Sequence, residues 1–116
     1  MEASPREIRR YITADGRIPF EEWFESLRDV RVIAKIEARL KRVSLGNLGD
    51  YKFVGEGVFE LRIRTKQGLD YRIYFGQKGV TLILLLCGGD KGTQHQDIEK
   101  AKNYWKDYER CEDSNQ

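Results

Sequence analysis

The stretch GVFELRIRTKQGLDYRIYFGQKGVTLILLLC, residues 57–87, decides the fold of this 116-residue chain. Apolar Phe59, Leu61 and Ile63 alternate with charged neighbours, and a similar alternation follows after a glycine-containing turn. Such a pattern indicates strands of an antiparallel sheet with one face against a core. The last segment, residues 80–87, is apolar almost throughout, so we expect it inside the sheet with both faces covered. The stretch therefore predicts an antiparallel meander of three strands.

Two helices are predicted before this meander. Residues 7–13 alternate weakly and indicate a short strand, and Pro19 suits the first turn of the helix that follows. Asp29 is placed to cap a second helix, and Gly46 is placed to end it. The apolar stripe expected on the second helix consists of Ile33, Ile36, Leu40 and Val43. Its basic stripe consists of Arg31, Lys35, Arg39 and Arg42.

One further helix is predicted after the meander, over residues 94–109, where Thr93 and Gln96 have the spacing of a capping box. Residues 110–116 are expected to form a frayed tail. The element order is therefore βααβββα. It predicts a single α+β domain over residues 1–116, with a helical hairpin and a C-terminal helix packed on a small, mainly antiparallel sheet.

Composition excludes several classes of protein. No run of about 18 apolar residues exists, so a membrane span is not expected, and the charged N-terminus lacks the apolar region of a secretory signal. The chain has two cysteines and one histidine, which excludes a zinc site with four Cys or His ligands. We expect no metal, no cofactor and no disulfide, and a location in the reducing cytoplasm.

Positive charge is concentrated within the meander. Residues 60–78 carry five bases and two acids, although the whole chain has a formal net charge of only +2. If the first two strands of the meander pair, one face of the sheet gathers Arg62, Arg64 and Arg72. Arginine is the side chain best suited to bidentate phosphate contacts. The alternative is a solvated outer face, which antiparallel sheets commonly have.

The loop GGDKGTQ at residues 88–94 is a second candidate for anion binding. Lys91 is expected near a helix N-terminus, which attracts anions. The loop is not a Walker A motif, because Gly92 rather than Ser or Thr follows the lysine. The alternative is a plain connection in which the glycines make the turn and Thr93 caps the helix.

His95 is the one histidine of the chain and a candidate general base near neutral pH. Asp97 is placed to orient it, and the alternative is a surface histidine without a catalytic role. A nuclease that uses two histidines is excluded. The carboxylates of Glu60 and Asp90 do not have the spacing of a paired-carboxylate site. The predicted site therefore relies mainly on positive charge, which can stabilise the transition state of a phosphate electrostatically.

Several segments carry a resemblance to a known family. They are PFEEWFESL from residue 19, GVFELRI at 57–63, YRIYF at 71–75 and GGDKGTQHQDI at 88–98. On these segments the chain resembles the RelE/ParE toxin superfamily, and more closely its HigB-like branch of addiction-module killer proteins, over residues 7–105. The resemblance implies the same fold. It also implies the toxin of a type II toxin–antitoxin module, a metal-independent mRNA interferase that cuts mRNA in the ribosomal A site.

The resemblance also implies roles for individual residues. Arg72 matches the arginine that RelE-like toxins place in the catalytic groove, Arg62 and Arg64 match basic positions on the preceding strand, and Lys91 matches the basic loop residue. The expected catalytic residues are Arg62, Arg72, Lys91 and His95. The expected RNA- and phosphate-binding residues are Arg64, Lys66, Arg31, Lys35, Arg39 and Arg42.

One position departs from the RelE pattern. Several relatives carry a tyrosine in the last helix that takes part in cleavage, and here its place holds Ile98 or a neighbour. Since HigB-like members use histidines and acids instead, His95 is the expected substitute.

The implied partners are a cognate antitoxin of the helix-turn-helix, HigA-like type, the ribosome and mRNA, with operator DNA bound only through the antitoxin complex. ParE relatives share the fold and poison gyrase, because a fold by itself does not fix a target. A gyrase poison and a degenerate, non-catalytic antitoxin-binding member therefore remain the alternatives.

Overall fold

The computed structural model describes residues 4–114 as one α+β domain built on a five-stranded sheet, which confirms the predicted fold class. In chain order the elements are β1 (Glu7–Arg10), α1 (Pro19–Ser26), α2 (Val30–Ser44), β2 (Tyr51–Gly55), β3 (Val58–Arg64), β4 (Asp70–Lys78), β5 (Leu82–Asp90) and α3 (Gln94–Ser114). A short 3₁₀ turn, Lys91–Thr93, joins β5 to α3.

The strands lie in the order β1-β5-β4-β3-β2, with β1 parallel to β5 and the other neighbours antiparallel. The apolar strand β5 therefore lies inside the sheet, as its sequence predicts. Its side chains supply both faces, with Ile83 and Leu85 in one apolar core and Leu84 and Leu86 in the other.

The sequence reading missed the short edge strand β2. It pairs with β3 through a tight turn in which Gly55, Glu56 and Gly57 all have positive φ, at 107°, 50° and 83°. Two glycines make this conformation accessible at little steric cost. The meander consequently has one strand more than predicted.

The predicted helix ends are confirmed for α1 and α2. Pro19 begins α1, and the Asp29 side chain accepts a hydrogen bond of 2.9 Å from the Arg31 amide at the start of α2. Gly46, with φ of 98°, follows α2 and donates its amide to the Val43 carbonyl. Positive φ is the usual backbone conformation at this position, and glycine adopts it readily.

Other boundaries differ from the predictions. Val32 rather than Ile33 is buried on α2, and the first strand ends at Arg10 rather than at residue 13. Helix α3 continues through Ser114, so the frayed tail predicted from residue 110 is wrong for residues 110–114. Residues 115–116 lie outside the described part of the chain.

Two apolar cores lie on opposite faces of the sheet. One core, against α1 and α2, includes Phe20, Ile36, Leu61, Ile73 and Phe75. The other lies under α3 and includes Val58, Tyr74, Leu86, Ala101 and Trp105. Because side chains alternate along a strand, Glu60, Arg62 and Arg64 leave β3 on the α3 side.

Helix α3 crosses the sheet where glycines permit close approach. A Cβ at Gly76 would lie 2.1 Å from Trp105 Cε3, and one at Gly57 would lie 2.3 Å from Trp105 Nε1. The indole therefore sits directly on the backbone of β4 and of the turn between β2 and β3. Within residues 4–114, none of the helices combines the length and apolar composition that a membrane span needs.

Candidate functional site

The structure brings two of the predicted arginines together on the α3 side of the sheet. Arg62 of β3 is the direct register partner of Arg72 of β4, and Arg72 is in turn the register partner of Gly89 of β5. We call the surrounding group of side chains the Arg72 cluster. It consists of Lys52, Glu60, Arg62, Arg72, Tyr74 and Gln94.

Arg72 is the buried cation of this cluster, with an exposed fraction of only 5%. Its Nε lies 3.6 Å from Glu60 Oε1, which is beyond hydrogen-bonding distance. Within the described chain, neither Nε nor Nη1 of Arg72 has a hydrogen-bond partner. A buried polar group without a partner costs about 1–3 kcal/mol, and more when it is charged. An anionic ligand that accepts from these atoms would remove that cost, but it could reach them only after the surrounding side chains move, because both atoms are buried.

Glu60 is the carboxylate at the centre of the cluster and is completely buried. Its Oε2 accepts hydrogen bonds from the Tyr74 hydroxyl at 3.2 Å and from Gln94 Nε2 at 2.9 Å. Its Oε1 lies 4.0 Å from Lys52 Nζ. Burial and the neighbouring Glu60 carboxylate raise the pKa of Tyr74, so its hydroxyl remains a donor.

Sequence reasoning named Glu60 without a role and did not place Lys52, Tyr74 or Gln94 at this site. Lys52 comes from β2, which was not predicted, and it stands opposite Glu60 in the strand register. Gln94 is 34 residues from Glu60 in sequence. Glu60 occupies a polar position of an alternating strand, as Arg62 and Arg64 do, so the local pattern did not distinguish it from a residue on a solvated face.

The two arginines of β3 have different environments. Arg62 is half-buried, and its Nε is a buried donor without a partner in the described residues. Arg64 is exposed, opposite Asp70 in the register, and its Nε lies 3.7 Å from Asp50 Oδ2. Arg62 therefore belongs to the cluster, whereas Arg64 lies at its solvent edge.

Lys91 lies in the turn before α3 and His95 in the first turn of α3, and both are exposed. In the part of the chain that the structure describes, neither side chain makes a hydrogen bond or an ion pair. Gln94, between them, is the residue that reaches Glu60. Lys91 and His95 are thus free to meet a ligand that approaches from solvent.

The loop before α3 is held by its own hydrogen bonds. Asp90 accepts from the Gly92 amide at 2.8 Å, and Thr93 donates its hydroxyl to Asp97 at 2.5 Å. The predicted capping box of Thr93 with Gln96 is therefore replaced by a bond to Asp97. Asp97 is buried over Gly89, where a Cβ would lie 1.9 Å from its Oδ2, and its carboxylate binds Thr93 rather than orienting His95.

The basic stripe of α2 divides into residues with different roles. Arg39 donates hydrogen bonds to the backbone carbonyls of Leu48 at 3.0 Å, Asp50 at 2.8 Å and Arg62 at 2.8 Å. Its guanidinium therefore fastens α2 to β3 and to the loop before β2. Burial lowers the pKa of Arg39 from its ordinary value.

The remaining basic residues of α2 face solvent. Arg31 and Lys35 line an open cleft of about 260 Å³ together with Lys66 of the β3–β4 turn. Arg42 lines a separate cleft of about 210 Å³ with Asn47 and Gly49. The stripe is therefore not one continuous surface.

Among residues 4–114, no group of three or more His, Cys, Asp or Glu side chains is arranged to hold a metal ion.

A curated protein from Haemophilus influenzae is 49% identical to this chain over 85 residues, which are 73% of this chain and 84% of that protein. The chain belongs to the same family as this protein. The relative is described as "Uncharacterized protein", so the relationship assigns no activity. No family model matches the chain, and no solved structure matches it.

The geometry of the Arg72 cluster suits one kind of chemistry. Two arginines with orphan N–H groups are register partners on neighbouring strands, and the buried Glu60 carboxylate lies on the same face of the sheet. Fixed cationic donors stabilise negative charge that develops on a phosphate during transfer, and they do so more effectively in a site sheltered from water. The cluster is therefore a candidate site for binding a phosphodiester and stabilising its transition state.

Proposed function

We propose that this protein is the toxin of a type II toxin–antitoxin module, in the HigB-like branch of the RelE/ParE superfamily, and that it acts as a ribosome-dependent mRNA endoribonuclease. The observation that carries the proposal is the buried Arg72, whose Nε and Nη1 have no hydrogen-bond partner among the described residues. The α+β fold with its paired arginines supports the same assignment.

The proposed reaction is an internal transfer at one phosphodiester. The ribose 2′-oxygen loses its proton and bonds to the adjacent phosphorus, and the bond from phosphorus to the 5′-oxygen breaks. The products are a 2′,3′-cyclic phosphate and a protonated 5′-hydroxyl. Arg62, Arg72 and Lys91 would bind the phosphate and neutralise the charge of the transition state. His95 is the proposed acid and base, reached from the solvent side of the loop.

The proposed setting follows from this activity. The protein would act in the cytoplasm, where the ribosome supplies the RNA in a fixed conformation and so contributes to catalysis by orientation. A cognate helix-turn-helix antitoxin would neutralise it, and operator DNA would be bound only by the complex of the two proteins.

The decisive experiment is primer extension on a reporter mRNA in a cell-free translation reaction, with a lane of naked RNA beside it. Wild-type protein is expected to produce new 5′ ends only on translated message. Arg72→Ala and Arg62→Ala are expected to remove those ends. Arg9→Ala is the matched control, because Arg9 is exposed and pairs with Glu7 at the far edge of the sheet.

Folding of each variant must be checked by circular dichroism, since removal of Arg72 leaves the buried Glu60 carboxylate with only Lys52, at 4.0 Å, as a nearby cation. A folded wild-type protein that produces no new ends would contradict the proposal. DNA supercoiling in the presence of gyrase is then the next assay, because a gyrase poison and a non-catalytic antitoxin-binding protein are the remaining alternatives.

A further inference from the structure

The proposed reaction does not use Glu60, which is completely buried on the same side of the sheet as Arg62 and Arg72. Removing a carboxylate from water costs several kcal/mol unless nearby charges and hydrogen bonds compensate. An apolar side chain of similar size at this position would fill the same space without the desolvation cost of a charge. The position of Glu60 therefore calls for a role beyond packing.

The two oxygens of Glu60 have different surroundings. Oε2 is held from two directions, by the Tyr74 hydroxyl of β4 and by the Gln94 amide at the start of α3. Oε1 has no hydrogen bond within the described residues and lies 3.6 Å from Arg72 Nε. Because two donors fix Oε2, the plane of the carboxylate is fixed and Oε1 is kept toward the guanidinium.

We propose that Glu60 is a positioning residue that holds the Arg72 guanidinium in place for a phosphodiester, with Gln94 and Tyr74 fixing Glu60 in turn. This inference rests on the proposed RNA cleavage. At 3.6 Å the carboxylate attracts the guanidinium by charge without a hydrogen bond. Because Nε and Nη1 of Arg72 are buried, they would meet phosphate oxygens only after the surrounding side chains move, while Glu60 keeps the guanidinium in place. Glu60 does not itself touch the substrate.

Gln94 gives this arrangement a second consequence. It is the first residue of α3, so it lies between Lys91 of the preceding turn and His95 of the first helical turn. Its hydrogen bond to Glu60 therefore fixes the start of α3 relative to Arg72. Glu60 therefore links Arg72 to the start of α3, and this link sets the distance between the cluster and the exposed residues Lys91 and His95.

The first test uses nuclear magnetic resonance of arginine side chains and needs no cleavage activity. The Arg72 Nε–H resonance is assigned by its loss in Arg72→Lys. Glu60→Gln is expected to shift and broaden this resonance, because the amide keeps the size of the side chain and removes its charge. Glu56→Gln is the matched control, since Glu56 pairs with Lys102 and Lys106 at the β2–β3 turn instead. An Arg72 resonance that is unchanged in Glu60→Gln would overturn the proposal.

The second test is single-turnover cleavage on programmed ribosomes. Glu60→Gln is expected to lower the rate constant at saturating protein about 10- to 100-fold, the size of effect that follows from a misplaced catalytic group. The protein concentration that gives the half-maximal rate should change far less. Full activity in a folded Glu60→Gln variant would show a purely structural role and overturn the proposal.

The two tests separate this inference from the proposed function. If wild-type protein cleaves no RNA, the proposed function fails, and the Arg72 resonance still decides whether Glu60 holds the guanidinium. If wild-type protein cleaves RNA and the resonance does not respond to Glu60→Gln, the proposed function stands and the positioning role is overturned.

Discussion

Arg62 and Arg72 stand directly opposite each other on neighbouring strands, with both side chains on the α3 side of the sheet. Like charges at opposed positions destabilise an antiparallel pair. Glu60 compensates part of this repulsion at 3.6 Å from Arg72 Nε, yet buried N–H groups of both arginines still have no partner in the described chain. The arrangement is unfavourable for the free protein and favourable for a complex with an anion.

Replacement of Arg62 by alanine should separate function from stability. Arg62→Ala relieves the repulsion with Arg72, so we expect the free energy of unfolding to stay level or rise by about 0.2–1 kcal/mol. RNA cleavage should fall, because one phosphate donor is lost. Urea unfolding and primer extension measure the two effects. Arg9→Ala, at an exposed position on the edge strand β1, is the control. A destabilised Arg62→Ala protein with full cleavage would contradict the prediction.

Arg39 should prove to be structural rather than RNA-binding. Its guanidinium donates to three backbone carbonyls, and hydrogen bonds that involve a charged group are the stronger ones. We expect Arg39→Ala to lower the free energy of unfolding by about 2 kcal/mol. Arg42→Ala, at an exposed position of the same helix, should change it by less than about 0.5 kcal/mol. Equal stability of the two variants would refute this assignment.

The cleft between α2 and the β3–β4 turn offers a test of RNA contact away from the cluster. Lys35 and Lys66 line it, and both are exposed. If both contact phosphates, replacing them with alanine should reduce the slope of log affinity for ribosomes against log salt by about 1.4–1.8. Binding measured over a series of salt concentrations gives this slope. Lys41→Ala, on the face of α2 toward β1, should leave it unchanged.

The contact between Tyr11, which follows β1, and Asp107 of α3 should make the free energy of unfolding depend on pH in the acid range. Hydrogen bonds from Tyr11 and then Arg110 hold the pKa of Asp107 below its ordinary value of 3.8. Since the folded-state pKa is lower than the unfolded one, the stabilisation is fully present above the unfolded value. It is lost as pH falls through the folded pKa.

Tyr11→Phe should therefore flatten the decline in urea midpoint below about pH 4. Unfolding midpoints of wild-type and variant protein over an acid pH series measure this. Tyr104→Phe is the control, because Tyr104 stacks on Tyr11 but makes no hydrogen bond to Asp107. Parallel acid profiles for wild type and Tyr11→Phe would count against the assignment.

Local patterns were sufficient for most of the fold. Alternation identified β3 and β4, and a continuous apolar run identified β5. Asp29 and Gly46 marked the ends of α2, because capping is decided by a few neighbouring residues. Strand β2 was missed because its five residues place Tyr51 and Phe53 on an exposed edge. Its pairing depends on the turn at Gly55–Gly57 and on its partner strand rather than on its own pattern.

The candidate site was predicted only in part. Arg62 and Arg72 were expected on one face, and the register confirms it, since alternation fixes the face of each side chain. Lys91 and His95 were expected at the same site. The structure places Lys91 in the turn before α3 and His95 in the first turn of α3, both exposed and without a hydrogen bond or ion pair in the described residues. Their roles in catalysis remain predictions.

The sequence by itself determined the periodicity of each element, the α+β class and the face on which each β3 and β4 residue lies. The tertiary structure decided which charges are buried and what they touch. Glu60 meets Tyr74 across 14 residues of sequence and Gln94 across 34, and Arg39 reaches the carbonyl of Arg62 across 23. The physical reason is that burial and pairing of a charge depend on strand register and helix packing, which bring together segments that no local pattern relates.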